Sequence, residues 1–597
     1  MSSTQQRTEA TFGSDLIVDI LKAYSIQYVA MNPGATIRGI HESLVKYGGN
    51  KDPEIIECCH EEIAVAVSHG YTKAAGKLMP VMFTASYGTM HASAAIFNAY
   101  VDNVPLILLG GSYPASLPVR NPDGGWTGRM FPQSELIRPF IKWDEEPTVI
   151  EAFQETFIQG RRIALTPPMG PVYLSYDQSL QEERLTRKHD LPDIKRYSLP
   201  APIHPDPDTT KRVAQLLYDA QNPVVIALTL GRNPRGFELL IQLAELLSLP
   251  VVDLLRNDWA GCLNFPNNHP LDASGTDVLS SSDLVLAIGV KNVYAALTEW
   301  NHETLQGKAR IRPGTTIIKI GLDDLRSPKG IQGADSSRVS PIDIRIAGPE
   351  DLVLEQILAH SKGILERERS KKNELFRERH LKIKKLHDDQ RRKWLNEAER
   401  GLGRKPFSSA TLALELWRNL KDKNWLIGAG TISGWVRRIW EMDDPGRFMG
   451  GSGGGSLGYN LGASIGVALA FRDSDRLVID FQPDGDLLYT PSALWTAAHH
   501  NIPLLIVMYN NRAYRNVWQH QIQVSKVRET PKESARIGNE LDHPPVDFAA
   551  LAKSMGCYGE GPVEDSEALS TALAKAIDNI RKTKRPALVD IISSLEL

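Results

Sequence analysis

A carboxylate and an amide follow two neighbouring strand-like segments near the carboxyl-terminal end of the chain. Asp484 follows the apolar run at residues 478–481, and Asn511 follows the apolar run at 504–508. A helix-length segment separates the two runs, which predicts a β-α-β unit with strands in the same direction. Both side chains then lie at the carboxyl edge of one sheet, where open α/β folds bind ligands. Oxygen ligands of these types suit Mg²⁺, which takes its other ligands from substrate phosphates.

A glycine run upstream of this unit also suits a phosphate ligand. Residues 450–458 read GGSGGGSLG, and a helix of small residues begins near Gly458. Glycine lets the backbone approach a ligand closely, and the first N–H groups of a helix attract anions. The alternative is a flexible linker, but a regular helix of small residues rarely follows such a linker.

A glutamate at the start of a predicted helix is the third candidate. His60 and Glu61 end a strand and open a helix in which Gly70 and Gly76 allow close packing. A glutamate in this position often only stabilises the helix dipole, by less than ~1 kcal/mol. A carboxylate there can also bond a ligand and move a proton.

Strand-like and helix-like segments alternate along most of the chain, as they do in parallel doubly wound sheets. Ser14 is predicted to cap a first helix at residues 15–24. The fold class is therefore α/β, with three doubly wound parallel-sheet domains. The predicted strands are 27–31, 54–58, 81–85, 106–109 and 171–175 in the first, 223–228, 250–255, 284–289 and 316–321 in the second, and 425–430, 478–481, 504–508 and 587–593 in the third.

Changes in composition indicate the domain boundaries. A Pro-rich segment, 199–208, separates a first domain at 1–190 from a middle domain at 200–362. A charged helical connector follows at 363–400, and the last domain occupies 401–597. The connector is predicted to be a solvated helix packed by the stripe Phe376, Ile383 and Leu386. The alternative is a basic surface for a coenzyme A tail.

Composition excludes several classes of partner. The chain has 597 residues, 42% hydrophobic and 23% charged, with a net charge of −3, which gives no reason to expect nucleic acid or an anionic membrane as partner. No apolar run is long enough to span a bilayer, and the polar start has no signal-peptide core. Four scattered cysteines indicate a reduced, cytoplasmic protein. The expected partner is a small-molecule substrate.

These stretches together resemble the motifs of one enzyme family. Pro483-Asp484-Gly485, followed by Asn510-Asn511, resembles the G-D-G…N-N motif of thiamine diphosphate (ThDP)-dependent enzymes, with Pro483 in place of the first glycine. The glycine run resembles the family's G-G-x-G-x-x-L-P-A-A-I-G. The helix that begins at Glu61 resembles a helix of the family's pyrimidine-binding domain. All three occur in the family's order of pyrimidine-binding, middle and diphosphate-binding domains. The resemblance is to the acetolactate synthase, benzoylformate decarboxylase and pyruvate decarboxylase family.

The resemblance implies ThDP and Mg²⁺ as cofactors. Asp484, Asn511 and the Ala513 carbonyl would hold the metal. Glu61 would bond N1′ of the aminopyrimidine, whose imino form removes the C2 proton, and Leu457 would wedge the cofactor into its bent shape. FAD is compatible with the family's middle domain, but no G-x-G-x-x-G follows a strand, so the sequence does not support it. The implied cofactor contacts are Asn32, Pro33, Gly34, Glu61, Thr431, Ser433, Ser456, Leu457, Asp484, Gly485, Asp486, Asn511, Ala513 and Tyr514.

Short similarities to single members of the family do not identify the substrate. N-P-G at 32–34 and G-P-V-Y-L-S at 170–175 resemble benzoylformate decarboxylase. That enzyme's acid/base serine and histidine are replaced by Ala35 and Thr84, and the asparagine of its G-T-G-N is His91. The paired histidines of pyruvate decarboxylase have no counterpart in residues 112–128. The candidate catalytic residue is His91, and the candidate substrate contacts are Thr84, Trp126 and Trp518. For each of them, ordinary packing is the alternative role.

The predicted function is a ThDP- and Mg²⁺-dependent lyase or carboligase. It would act on a 2-oxo acid or acyloin-type substrate through a C2-carbanion and enamine, with decarboxylation. A C–C hydrolase, a 2-hydroxyacyl-CoA lyase and a catalytically silent homologue kept for binding or assembly remain open. The family places Glu61 of one subunit against the diphosphate domain of another. This implies a homodimer or homotetramer with active sites at the subunit interface.

Overall fold

Three open sheets of parallel strands, each flanked by helices, form the molecule. The computed structural model describes residues 9–120, 132–254, 261–326, 338–368 and 371–596. The sheets confirm the predicted α/β fold class. No helix within these ranges is both long and apolar enough to cross a membrane.

The first sheet has six strands and carries Glu61 at its carboxyl edge. The strands are β1 (Tyr28–Met31), β2 (Glu54–Glu57), β3 (Val81–Thr84), β4 (Ile107–Ser112), β5 (Trp143–Glu145) and β6 (Val172–Asp177), in the spatial order β2-β1-β3-β4-β6-β5. The helices are α1 (Gly13–Ala23), α2 (Arg38–Lys46), α3 (Glu61–Ala75), α4 (Ala85–Val101), α5 (Phe153–Leu165) and α6 (Gln178–Glu182).

The predicted cap of the first helix is wrong. The residue before α1 is Phe12, whose N–H donates to Asp15 Oδ2 at 3.0 Å. Ser14 is buried inside the first turn, and its hydroxyl lies 2.7 Å from that of Ser43. Asp15 supplies the carboxylate at the helix start, and the helix begins at Gly13, two residues earlier than a cap at Ser14 predicts.

The middle domain contains a second parallel sheet and a separate hairpin. Its strands are β7 (Pro223–Ala227), β8 (Val251–Asp253), β9 (Leu284–Ile288), β10 (Thr298–Asn301), β11 (Gln306–Ala309), β12 (Thr316–Gly321) and β13 (Ile344–Ala347). The sheet order is β13-β12-β9-β7-β8, and β10 pairs with β11 antiparallel in a hairpin that the sequence did not indicate. The helices are α7 (Pro207–Asp219), α8 (Pro234–Leu247), α9 (Val293–Ala296) and α10 (Glu350–Glu368).

The charged connector is α11 (Asn373–Arg400). Phe376 and Ile383 are buried in the core of the middle domain, and Leu386 packs against them, as the apolar stripe predicts. Arg379 adds a polar contact that the stripe does not reveal. Its buried guanidinium donates to the carbonyls of Leu247 and Ser248 at the end of α8. A cation at the carboxyl end of a helix is favourable, so this contact fixes the connector on the middle domain.

The last domain carries a third parallel sheet and the predicted β-α-β unit. Its strands are β14 (Trp425–Ala429), β15 (Leu477–Pro483), β16 (Leu505–Asn510), β17 (Tyr558–Val563) and β18 (Ala587–Ile592), in the order β14-β15-β16-β18-β17. Because β15 and β16 are adjacent and parallel, Asp484 and Asn511 leave the sheet side by side. The helices are α12 (Ser409–Leu420), α13 (Trp435–Ile439), α14 (Tyr459–Ala470), α15 (Asp484–Leu487), α16 (Ala493–His499), α17 (Arg515–Arg528), α18 (Phe548–Ser554) and α19 (Ser566–Thr583).

The first and last domains pack through α3 and α14. A Cβ placed on Gly70 would lie 2.0 Å from the carbonyl oxygen of Ala463, and one on Gly466 would lie 1.9 Å from that of Val67. The small residues of both helices therefore allow their backbones to touch. This contact places the glycine run, which precedes α14, against the first domain.

Candidate functional site

A cavity of about 580 Å³ opens at the carboxyl edge of the last sheet. Gly430, Ile432, Phe481 and Tyr509 form part of its wall, together with the glycine run. Every last-domain residue predicted to contact the cofactor lines this one cavity. They are Thr431, Ser433, Ser456, Leu457, Asp484, Gly485, Asp486, Asn511, Ala513 and Tyr514.

Asp484, Asn511 and Ala513 meet at one point of the wall. The N–H of Ala513 donates both to Asn511 Oδ1 at 3.0 Å and to Asp484 Oδ2 at 3.3 Å. The other oxygen of Asp484 accepts the N–H of Gly485 at 2.8 Å. A carboxylate and an amide oxygen that converge in this way are the donor set that Mg²⁺ prefers.

Burial raises the pKa of Asp484 to about 6, against its ordinary value of 3.8. The cause is desolvation, which disfavours the charged carboxylate, and the backbone N–H groups offset only part of it. A divalent cation beside the Asp484 carboxylate would offset this cost of desolvation. The residues present therefore fit a magnesium ion.

The Asp486 carboxylate binds the backbone just before α14. Its Oδ1 accepts the N–H of Gly458 at 2.8 Å, and its Oδ2 accepts the side-chain amide of Gln482 at 2.9 Å. Burial raises the pKa of this carboxyl. Asp486 thus accepts the N–H of the residue that precedes α14, at the helix start where the glycine-run pattern predicts a phosphate.

A strained turn forms another part of the cavity wall. Ile432 and Ser433 have positive φ values of 49° and 52°, between Gly430 at 76° and Gly434 at 80°. Successive non-glycine residues in this region are unfavourable and persist where the surroundings impose them, often at functional sites. The hydroxyl of Thr431 accepts the N–H of Gly434 at 3.1 Å and holds the turn.

Glu61 lies buried at the start of α3 and bonds His91 of α4. The distance from Glu61 Oε2 to His91 Nδ1 is 3.0 Å. The His91 side chain is 56% exposed, and its ring stacks on that of His60 at 4.9 Å between centroids. His60 caps the helix, because its Nδ1 accepts the N–H of Glu62. Glu61 is therefore connected to solvent through a histidine that can carry a proton.

The next glutamate, Glu62, faces the last domain. Its Oε1 lies 3.4 Å from the position that a Cβ on Gly458 would take. Burial, followed by the charge of Asp486, raises the pKa of Glu62 to about 7. Two consecutive glutamates thus point to different domains, and the sequence motif alone did not predict a role for the second.

The other first-domain candidates gather near Glu61 at the carboxyl edge of the first sheet. Asn32 donates to the carbonyl of Cys58 at 3.0 Å, next to the exposed Pro33. A Cβ on Gly34 would lie 2.2 Å from that of Thr84, whose hydroxyl bonds Thr36 at 2.9 Å. No described residue of the first domain lines the last-domain cavity of the same chain.

The predicted substrate contact Trp518 does not line the cavity. It is half-buried in α17, whose residues 515–517 do line the cavity. Trp126 lies outside the described residues. Sequence reasoning also missed Asn98 of α4 and Asp102, the residue that ends this helix, both of which hydrogen-bond the glycine run. A lone polar residue near a helix end carries no sequence signal of such a contact.

Two family models match the domains that carry these groups. Residues 12–130 match the N-terminal TPP binding domain of thiamine pyrophosphate enzymes, and residues 428–591 match the C-terminal TPP binding domain. The matches cover Glu61 in one domain and Asp484 with Asn511 in the other. The chain belongs to the thiamine pyrophosphate enzymes.

Relatives of this thiamine pyrophosphate enzyme span nearly its whole length. Acetolactate synthase isozyme 3 large subunit of Escherichia coli (strain K12) is 25% identical, over 98% of this chain and 95% of that protein. The acetolactate synthase large subunit of Haemophilus influenzae is 24% identical, over 92% and 89%. The crystal structure of benzoylformate decarboxylase from Polynucleobacter necessarius has the same fold, with a TM-score of 0.73 and 20% identity over 98% of this chain and 99% of that one.

Proposed function

We propose that this thiamine pyrophosphate enzyme uses ThDP and Mg²⁺ to make or break a carbon–carbon bond next to the carbonyl of a 2-oxo acid or acyloin-type substrate, with decarboxylation. The observation that carries the proposal is the convergence of Asp484 and Asn511 on Ala513 in the cavity. The contact between Glu61 and His91 in the first domain supports it. The acetolactate synthase relatives support this class of reaction.

The last domain would hold the cofactor. Asp484, Asn511 and the Ala513 carbonyl would bind Mg²⁺, and the metal would bind the diphosphate. Leu457, half-buried on the cavity wall, would support the body of the cofactor. When bound, ThDP supplies a nucleophilic carbon and an electron sink for the carbon–carbon step.

Glu61 would bond the aminopyrimidine nitrogen and hold a proton at Oε2. His91 Nδ1, 3.0 Å away, can take or return that proton, because its exposed ring exchanges protons with solvent. Burial of Glu61 strengthens its hydrogen bonds and keeps its carboxylate in one orientation. The pair therefore provides acid–base chemistry at a fixed position.

A second copy of the chain would complete the site. The cavity lies in the last domain, and the Glu61 group lies at a separate edge of the first domain. Apolar side chains are exposed near both groups: Tyr87 and Met90 on α4, Val517 on the cavity wall and Tyr489 next to Gly458. We propose a homodimer or homotetramer in which Glu61 of one subunit faces the cavity of another.

Turnover and proton exchange test this function together. Wild type is assayed for CO₂ release and for ligation products with a panel of 2-oxo acids, with and without an acceptor aldehyde. Glu61→Gln is expected to slow exchange of the cofactor C2 proton by about 10²-fold or more, and Glu155→Gln is the control. Glu155 is an exposed glutamate in the first turn of α5, so it shares only the helix-dipole role.

Each outcome decides between the candidate functions. CO₂ release without ligation would favour a decarboxylase, and an acceptor-dependent product would favour a carboligase. Equal exchange in Glu61→Gln and wild type would refute the role of Glu61. Wild type that binds ThDP but turns over no 2-oxo acid or acyloin would favour the silent homologue.

A further inference from the structure

Side chains at the carboxyl end of α4 form hydrogen bonds with the glycine run of the last domain. Asn98 Oδ1 accepts the N–H of Ser456 at 3.2 Å, and its Nδ2 donates to the Ser456 carbonyl at 3.4 Å. Asp102 Oδ1 accepts the N–H of Gly453 at 2.8 Å. Both side chains are 1% exposed, so these bonds form away from water, where losing one is costly.

A buried charge cluster holds Asp102 in place. Lys73 Nζ lies 3.6 Å from Asp102 Oδ2 and donates to the Gly451 carbonyl at 2.8 Å. His69 Nε2 lies 3.2 Å from the same oxygen, and Arg232 Nη2 lies 3.5 Å from Oδ1. A buried carboxylate persists in the charged form only with such partners. The glycine run is therefore bound by an acceptor, Asp102, and a donor, Lys73, of the same cluster.

The middle domain fixes the other side of this helix end. Side chains of Arg232, Lys291 and Arg326 donate to the carbonyls of the last α4 turn and its cap, which are Asp102, Val101 and Tyr100 respectively. Cations are favourable at a helix carboxyl end, because its last carbonyls have no partner within the helix. The middle domain thus sets the position of Asn98 and Asp102.

The glycine run depends on these contacts for its shape. Gly450 and Gly455 adopt φ values of 83° and 68°, and a Cβ on Gly454 would lie 2.3 Å from Asn98 Oδ1. Such residues have large conformational freedom in the absence of outside partners. The same run lines the cavity through Gly451, Ser452, Gly455, Ser456 and Leu457.

We propose that Asn98 and Asp102 are positioning residues for the cofactor cavity. They hold the glycine run in the conformation that accepts the cofactor, and they connect that conformation to the middle domain through the end of α4. The cofactor part of this proposal rests on the proposed function, whereas the anchoring of the run does not.

Hydrogen exchange of the cofactor-free protein and ThDP calorimetry with Mg²⁺ test the proposal. Asn98→Ala leaves the charge cluster intact, and Asp102→Asn removes its carboxylate. Asn103→Ala is the control, because Asn103 makes a contact to the middle domain at the same helix end, to Asp323 at 3.0 Å. We expect amide protection at residues 453–456 to fall about tenfold, and the Kd for ThDP to rise about tenfold, in Asn98→Ala but not in Asn103→Ala.

Unchanged protection at residues 453–456 in Asn98→Ala would overturn the anchoring. Loss of protection that extends to β14–β18 would also overturn it, since that result indicates general destabilisation. Asp102→Asn gives the same readout if it folds, and Asn98→Ala decides if it does not. If wild type binds no ThDP, the proposed function fails, while local loss of protection would still support the anchoring, so the two failures are distinguishable.

Discussion

Replacing Asp484 by asparagine should stabilise the metal-free protein and abolish its response to cofactor. Burial raises the pKa of this carboxyl from 3.8 to about 6, which corresponds to about 3 kcal/mol between the two protonation states. Below pH 3.8 the group is protonated in both folded and unfolded chains. Above pH 6 it is ionised in both, and the ionised form destabilises the folded chain. The free energy of unfolding therefore falls by this amount as the pH rises from about 4 to about 6.

Asparagine avoids this penalty and keeps the shape of the side chain. It can retain one accepted N–H bond, and Ala513 N–H still has Asn511 Oδ1 as acceptor. Allowing ~1 kcal/mol for a weakened hydrogen bond leaves a net gain of about 2 kcal/mol at pH 8. In a domain of this size, a gain of about 2 kcal/mol should raise the melting temperature by several degrees.

Thermal melts in EDTA at pH 4.5 and pH 8, and melts at pH 8 with Mg²⁺ and ThDP, check this prediction. The two proteins should melt together at pH 4.5, and Asp484→Asn should melt higher at pH 8 without metal. Mg²⁺ and ThDP should stabilise wild type only, by the ligand-binding relation. A mutant less stable than wild type at pH 8 in EDTA, or equally stabilised by cofactor, would refute the reasoning.

Two further substitutions test the first-domain pair and the strained turn. His91→Asn can still donate to Glu61 but cannot carry a proton, so turnover should fall about 10- to 100-fold with the Kd for ThDP unchanged; turnover equal to wild type would contradict a proton-transfer role. Gly430→Ala combines a φ of 76° with a Cβ 2.0 Å from the Phe481 carbonyl oxygen, and should cost more than ~2 kcal/mol of stability by chemical denaturation. Gly403→Ala is the control, because Gly403 has a φ of 75° with no atom within 4 Å of the added Cβ, and equal losses would show that the clash contributes nothing.

The position of the last-domain site could be predicted because its causes are local. Two apolar runs separated by a helix-length segment predict adjacent parallel strands, and this places Asp484 beside Asn511. The glycine run before a small-residue helix likewise predicts close backbone contact, and α14 begins at Tyr459 with Gly458 as its cap. Each of these inferences needs only neighbouring residues and the chirality of the chain.

The tertiary structure decided which partners the polar side chains found. Glu61 and Glu62 are adjacent in sequence, yet one bonds His91 and the other faces Gly458. Asp486 accepts the N–H of Gly458 just before α14, and Asp102 binds a glycine run that lies far away in the chain. A side chain's direction within a motif depends on which helix packs against it. That packing depends on shape and burial across whole domains, which spacing along the sequence does not encode.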